Sequence, residues 1–286
     1  TGKGSAISNR EDLSNELAIL APEETPILSL CSKGKAASTF TEWTVDSLAS
    51  PVTTGISEGS DVTSFSDKFA DRARLGNYIQ LMRRDYLVSN LQQAVTSVGP
   101  ANVAQAEAKS MREIKRDIEA TIASDNEMTV ENGAGTPYGM RGLGKWIQAT
   151  AQTTNAVPTA FLTPSGNIDT TATGSLTEAT FNGVFRSIFT QNGGRRAYSL
   201  FAGPNLMTAI NTFQRVEGGS GTTKTYQVTQ DASSNQIDLD VSVYKGSFHT
   251  VTVIPDMFNG LLDGSAVTTT TNQQMARGYV IDPQLV

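Results

Sequence analysis

The chain of 286 residues has one cysteine, Cys31, one histidine, His249, and two tryptophans, Trp43 and Trp146. A single thiol excludes an intramolecular disulfide framework and any site built from several thiolates. A single imidazole excludes a zinc site of several histidines. It also obliges any Ser-His-Asp or Cys-His arrangement to use His249. That residue opens the alternating run HTVTVIP, where a structural histidine is expected. Nowhere do about 18 apolar residues follow one another, so no transmembrane helix is read. No signal peptide is read at the start either. A strongly basic block is missing too: residues 1–66 hold nine acids and four bases, and residues 67–126 eight acids and nine bases. A module that reads nucleic acid needs a basic face, which this distribution does not offer.

What the chain does have is Thr, Ser, Ala, Gly and Asn in quantity, with only 17% charged residues. Such a surface suits contact with surfaces like itself, because few charges must be desolvated. The length allows one large domain or two modest ones. The stretch that organises the rest is PANVAQAEAKSMREIKRDIEATIASD, residues 100–125. Val103, Ala104, Ala108, Met111, Ile114, Ile118 and Ile122 recur three or four residues apart and predict a helix with one core-facing stripe. Lys109/Glu113 and Lys115/Glu119 are opposite-charge pairs at i,i+4 on the remaining faces. Pro100 suits the first helical position and Asn126 the end. At 1.5 Å rise per residue this spine is roughly 37 Å long.

Before the spine, Asn9 or Asp12 can cap a short helix with Leu13, Leu17 and Leu20 on one side. Pro22 and Pro26 then force extended or turn backbone, and the segment reads as an arm lying on something else. Residues 36–50 and 69–89 are β-prone runs on either side of the Gly/Ser/Thr/Asp tip PVTTGISEGSDVTSFSD. In the return run Arg72, Arg74, Tyr78, Gln80, Met82, Arg84 and Tyr86 are expected to point one way, and Leu75, Ile79, Leu81 and Leu87 the other. A lone hairpin is marginal in water, so this one is expected to rest on a partner surface.

After the spine come a Gly-rich loop (131–144) and a Thr/Ala-rich surface excursion (148–175). A second amphipathic helix, residues 176–192, carries Phe181, Val184, Phe185, Ile188 and Phe189 on one face and ends at Gly193-Gly194. AYSLFA (197–202) reads as a buried strand, and PNLMTAINTF as a short helix burying Leu206, Ile210 and Phe213. Residues 217–225 read as a flexible loop. QIDLDVSVY (236–244) alternates with Ile237, Leu239, Val241 and Val243 inward. HTVTVIP (249–255) and GYVI (278–281) are further strands. The outline is α+β, with a hairpin projecting from one side.

Chemistry-bearing patterns are few. Gly139 to Lys145 fits G-x-x-x-x-G-K, but a phosphate loop needs Ser or Thr next, a buried strand before and a helix after. Trp146 follows instead, so a glycine turn that docks Trp146 and Ile147 into the core is expected. Asp238 and Asp240 read as a solvated strand edge, and Cys31 as a small buried side chain. Arg83-Arg84 and Arg195-Arg196 are read as partners in ion pairs, within or between subunits, given the acids of residues 1–66. No catalytic residue, cofactor or metal site is expected.

Several strings occur in a telling order and spacing. They are Glu11-Asp12-Leu13-Ser14, Pro22-Glu23-Glu24-Thr25-Pro26 with Leu28-Ser29-Leu30, Gly34-Lys35-Ala36, Glu42-Trp43 with Asp46-Ser47-Leu48, Asn77-Tyr78 with Gln80, and Lys115-Arg116-Asp117-Ile118-Glu119. With the order arm, hairpin, spine and α+β body, the chain resembles tailed-phage major capsid proteins of the Hong Kong 97-type fold. The resemblance is densest over residues 9–147. It implies an N-terminal arm (1–35), an extended β-hairpin loop (36–89) and a peripheral domain (90–147) with the spine at 100–125. The surface excursion (148–175), a mainly axial domain (176–277) and a return strand to the peripheral domain (278–286) follow.

By the same resemblance the chain is expected to assemble with copies of itself, as hexamers and pentamers, into an icosahedral shell enclosing a phage double-stranded DNA genome. Scaffolding, decoration and portal proteins are candidate partners. Contact with packaged DNA is expected to be weak and non-specific, with no membrane involved. The expected location is the virion, assembled in the host cytoplasm. Across the subunit boundary, Trp43, Arg72 and Arg74 are expected to meet acids such as Glu11, Asp12, Glu23 and Glu24, with Arg83 and Arg84 as further contacts. A further strand after Asp282-Pro283 is usual in that family, so one is expected beyond Val286, and sequence is expected before Thr1. Two rival classes remain: an encapsulin-like cargo compartment, and a phage fibre or adhesin-type binding module.

Overall fold

A computed structural model of the chain describes residues 24–95, 102–191, 197–213, 230–231, 236–237, 242–246, 249–259 and 276–282. In chain order the first elements are α1 (Pro26–Leu30), β1 (Phe40–Val45), β2 (Ala73–Tyr78), α2 (Asn90–Ala94), α3 (Val103–Ile122) and α4 (Leu143–Trp146). There follow α5 (Glu178–Gln191), β3 (Ala197–Ala202), α6 (Pro204–Thr212), β4 (Gln230–Asp231), β5 (Gln236–Ile237), β6 (Val243–Lys245), β7 (Thr250–Pro255) and β8 (Gly278–Ile281). Helices and open sheets are both present, so the class is α+β.

The core forms around β3, one of the two inner strands of a four-stranded sheet in the order β6-β7-β3-β8. β3 runs parallel to β7 and antiparallel to β8. Its residues from Tyr198 to Ala202 are all buried, as the unbroken run AYSLFA requires of a strand covered on both faces. On one face Tyr198, Leu200 and Ala202 pack with Val251 and Val253 against Phe181, Phe185 and Ile188 of α5 and Ile210 of α6. On the other, Phe201 packs with Ile27, Ala123 and Tyr279. The sheet is thus sandwiched between the α5/α6 pair and the place where α1 meets the end of α3.

α3 starts where Asn102 accepts the Gln105 amide at 2.9 Å, which satisfies one of the helix's orphan donors. It ends at Ala123 in right-handed conformation rather than at Asn126. Pro100 lies outside the described residues. The expected apolar stripe is only partly covered: Val103 is 36% and Met111 57% exposed, and the buried positions are Ser110, Glu119, Ala120 and Thr121. Ala104 and Ala108 are exposed, and Ile114, Ile118 and Ile122 are half-buried. The cause is coverage, since α1 and the sheet reach only the C-terminal end of the spine.

Glu119 also departs from expectation. Its carboxylate turns away from Lys115 into the core, fully buried, and accepts the amides of Ile27 and Leu28 at 2.7 Å each. Those are orphan donors at the start of α1, where Pro26 fits the first turn because it has no N–H to satisfy. Lys109 and Glu113 do pair, at 4.0 Å.

Further corrections concern register. The return run leaves β structure after Tyr78, and Leu81 and Leu87 are 93% and 97% exposed. Val243 faces solvent while Tyr244 packs inward, because its hydroxyl donates to Glu178 at 2.7 Å and accepts from Asn182 at 2.8 Å. The stretch 148–175 is not all surface: Val157 and Gln152 are buried, and the Gln152 amide bridges the Lys145 carbonyl and the Val157 N–H. Leu239, Val241, Gly193-Gly194 and residues 217–225 lie outside the described residues.

Two buried acids make the fold sensitive to pH. Burial pushes the Glu119 carboxyl above the ordinary glutamate value, the Leu28 and Ile27 amides pull it back, and the Asp256 charge adds to the rise. Burial also raises Asp256, against pull from the Phe258 and Asn259 amides. A raised folded-state pKa stabilises the fold fully below the ordinary carboxylate range, and that contribution is lost as pH rises through the raised value. Asp256→Asn removes one of these charges, so its stability should fall less between about pH 4 and 7 than the parent's. Urea midpoints across that range check this; an equally steep fall in the variant places the titration elsewhere.

Candidate functional site

β1 and β2 pair antiparallel from Phe40↔Tyr78 to Val45↔Ala73 and form the stem of the hairpin. Gly76 is required there, because a Cβ at that position would sit 2.5 Å from the Phe40 ring. Beyond the stem, residues 46–72 are exposed without exception. Leu48 is 98%, Ile56 88% and Phe65 92% exposed, with Val52, Val62 and Phe69 also bare. Single exposed apolar residues need no explanation, but six in one segment make it a candidate contact surface. The series continues past the stem: Leu81, Leu87, Leu91 and Val95 are exposed as well.

The stem, by contrast, is firmly seated. The Asn77 side chain donates to the Arg141 carbonyl at 3.1 Å and accepts the Arg141 amide at 2.8 Å. Gln80 accepts the Met140 amide at 3.2 Å. Tyr78 stacks between Phe40 and Tyr138, with ring centroids at 4.6 and 5.5 Å. Trp43 leans on Trp146 at 5.6 Å, and the Arg141 guanidinium covers the other ring at 4.7 Å from its centroid. Arg141 is itself 1% exposed and donates to Glu127 at 2.7 Å and to the carbonyls of Thr154 and Asn155.

Of the arginines singled out from sequence, Arg72, Arg74, Arg83 and Arg84 have acids of their own chain within reach. Arg72 bonds Asp46 at 3.1 Å and Arg74 sits 3.8 Å from Glu42, both across the hairpin stem. Arg83 meets Asp85 at 3.1 Å. Arg84 grips Asp117 on α3 with two bonds, 2.5 and 2.7 Å, while its carbonyl accepts the Ser110 hydroxyl. Those two hydrogen bonds raise the Arg84 pKa further and strap the return segment to the spine. Trp43 is 44% exposed, and Glu24 is exposed. Glu11, Asp12 and Glu23 lie outside the described residues, as do Arg195 and Arg196.

The other candidate chemistries are absorbed by structure. Around the G-x-x-x-x-G-K pattern the amides that would cradle a phosphate are engaged: Gly142 N–H to Asn126, Gly144 N–H to Ser124, Lys145 N–H to Gly142. A carboxylate also stands against Gly144, from Asp125. His249 is 3% exposed, stacks on Phe185 at 4.5 Å, and burial lowers its pKa toward the neutral form. Cys31 packs at the edge of the Ile27 cluster, where burial and then the Glu119 charge raise its pKa away from the reactive thiolate. Among the described residues no group of three or more His, Cys, Asp or Glu is placed to hold a metal ion. Among the same residues no helix is long and apolar enough to cross a membrane.

Sequence reasoning missed Arg141, Asn77 and Glu119 as site-forming residues. Arg141 lies inside the glycine pattern and Asn77 just before Tyr78 on the return strand, but nothing local shows that the two meet 64 positions apart.

A family model described as SU10 major capsid protein matches residues 1–284. A search of curated proteins found no match.

The exposed row carries little of the subunit's own stability. Ile56→Ser and Phe65→Ser should therefore leave the melting of the isolated subunit within about 0.5 kcal/mol of the parent. Chemical denaturation checks this, and a larger loss would mean that the segment packs on its own body.

Proposed function

The chain belongs to the SU10 major capsid protein family, and from that premise we propose how its parts divide the work of a shell. It is a phage major capsid protein and forms the shell, a structural role that is normally not enzymatic. The finer reading is the Hong Kong 97-type arrangement. In it residues 1–35 are an arm, 36–89 an extended loop, 90–147 a peripheral domain on the spine, 148–175 an excursion, 176–277 a mainly axial domain and 278–286 a return strand. Support for the last comes from Tyr279, whose hydroxyl donates to the Ala123 carbonyl at the end of the spine at 2.9 Å.

The observation that carries the functional reading is the exposed segment 46–72 on a seated stem. An apolar row with no cover in its own chain fits a neighbouring copy, and the same contact repeats at every subunit of a closed shell. The stem arginines reach acids of their own hairpin at exposed sites, where each ion pair contributes about 0–1 kcal/mol. Exchange of those partners for acids of residues 11–24 in a neighbour is therefore inexpensive. Assembly as hexamers and pentamers, an enclosed double-stranded DNA genome and partners such as scaffolding, decoration and portal proteins belong to this reading. So does assembly in the host cytoplasm.

Replacing residues 47–68 with an Asn-Gly turn should leave a soluble subunit with near-native circular dichroism and melting. That subunit should sediment as monomer or capsomer instead of shells. Loss of the fold would make the segment an intrachain element, and intact shells as stable as the parent's would remove its role in contact.

The genome is held, in this reading, by confinement and weak contacts, given the net charge of −6 and a sequence without a strongly basic block. Soluble subunits should show no preferred DNA sequence in filter binding at physiological salt. A protected site would contradict this.

A further inference from the structure

We propose that Asn77, Arg141 and Trp146, with Trp43 on the stem, form a socket that sets the angle at which the hairpin leaves the body. In this role they are positioning residues for assembly. The inference deepens the contact role given above to residues 46–72 and rests on it. Its starting point is a contrast within one hairpin. The stem, residues 40–45 and 73–80, holds every contact described above between the hairpin and the loop at 138–146. The projecting part, residues 46–72, is exposed throughout. Its hydrogen bonds stay inside the hairpin: Ser47 to Asp71, Arg72 to Asp46, and the Phe69 amide to Asp67.

Such an element is anchored at one end only. From Asp46 to the turn at Gly59 the chain reaches at most ~45 Å, so a tilt of about 10° at the stem displaces the tip by up to roughly 8 Å. Interfaces pack as tightly as protein interiors, and a shift of that size places the apolar row off its mate. The tip has no body contact to correct the error, so the accuracy of the contact is decided in the socket.

The socket is built to resist tilt in more than one direction. The Asn77 amide imitates a backbone peptide and engages both the N–H and the C=O of Arg141, which fixes the stem in the plane of that pairing. The tryptophan pair braces it from the side. The Arg141 guanidinium lies over the Trp146 ring and is itself held by Glu127, Thr154 and Asn155. A buried cation is costly unless its bonds are fixed, and here the fixed cation supports the Trp146 side of the socket. Trp43 and Trp146 are the chain's only tryptophans, so the far-ultraviolet circular dichroism exciton couplet of two close indoles reads the socket directly.

The test compares Asn77→Ala, Trp43→Ala and Trp43→Phe with the parent and with the subunit lacking residues 47–68. Spin labels at Ser57→Cys and Gln191→Cys, in a Cys31→Ser background, report the spread of tip-to-body distances. Asn77→Ala keeps both indoles, so it should lose the couplet. Asn77→Ala and Trp43→Ala should both broaden the distance distribution and raise the protein concentration needed for shells at least tenfold, or change shell diameter. Apart from that couplet, unassembled subunits should keep the parental helical signal in far-ultraviolet circular dichroism. Trp43→Phe should restore much of the parental assembly.

A merely structural role would lower melting without touching the distance distribution. Unchanged couplet and distances in Asn77→Ala, or parental shells from subunits whose distances have broadened, overturn the socket. If Asn77→Ala does not fold, Trp43→Ala, at a side chain already half in solvent, decides the matter alone. Parental shells from the subunit lacking 47–68 would instead remove the contact role itself. Blocked shells there, with parental assembly by the socket variants, would remove only the socket.

Discussion

A carboxylate with no access to water holds this subunit together. Glu119 sits at the end of the spine and accepts two amides from the first turn of α1. Each of those donors, left without an acceptor in the core, costs about 1–3 kcal/mol. The same contact seats Ile27 against Ala123, Phe201 and Tyr279. Residues near the start of the described chain, the middle and the end therefore meet at one point. Without that joint, the spine would have one apolar edge open to water and the sheet one face uncovered.

The joint also explains what the spine does not do. A helix of 20 residues is longer than the elements described around it, so only its C-terminal end lies inside the subunit core. The N-terminal half keeps Val103 and Met111 in solvent. An apolar pattern along a helix states that something covers the stripe, and in a self-assembling protein part of that cover can come from another copy. The hairpin follows the same logic more strongly. Its stem is stabilised by the body, and its projecting part contributes little to folding. In the proposed reading, subunit stability and assembly are thereby placed on different residues.

Buried polar groups cluster where elements must meet at one defined geometry. Arg141 and Glu127 stand under the hairpin stem, and Asp256 and Asn259 beside the sheet. Tyr279, whose pKa is pushed to about 12 by burial and then by the Asp125 charge, stands at the end of the spine. Apolar contacts would hold these places as well but would tolerate sliding. Hydrogen bonds with fixed directions do not, which is a property a repeating shell needs more than it needs extra stability.

The sequence by itself determined the elements whose pattern is local. The spine, the α5 helix with Phe181, Phe185 and Ile188, the β3 and β7 strands and the two arms of the hairpin follow from periodicity, because a helix or strand imposes its repeat on whichever residues face the core. The order of those elements carried the likeness to capsid proteins. Only the tertiary structure decided that Glu119 leaves its helical ion pair for the α1 amides. It alone decided that Tyr244 rather than Val243 turns inward, that Pro26 opens a helix, and that Asn77 finds Arg141. Each depends on a partner tens of positions away, and a polar side chain chooses between water, a neighbour on its own helix and a distant amide by which of them remains when the chain has closed around it.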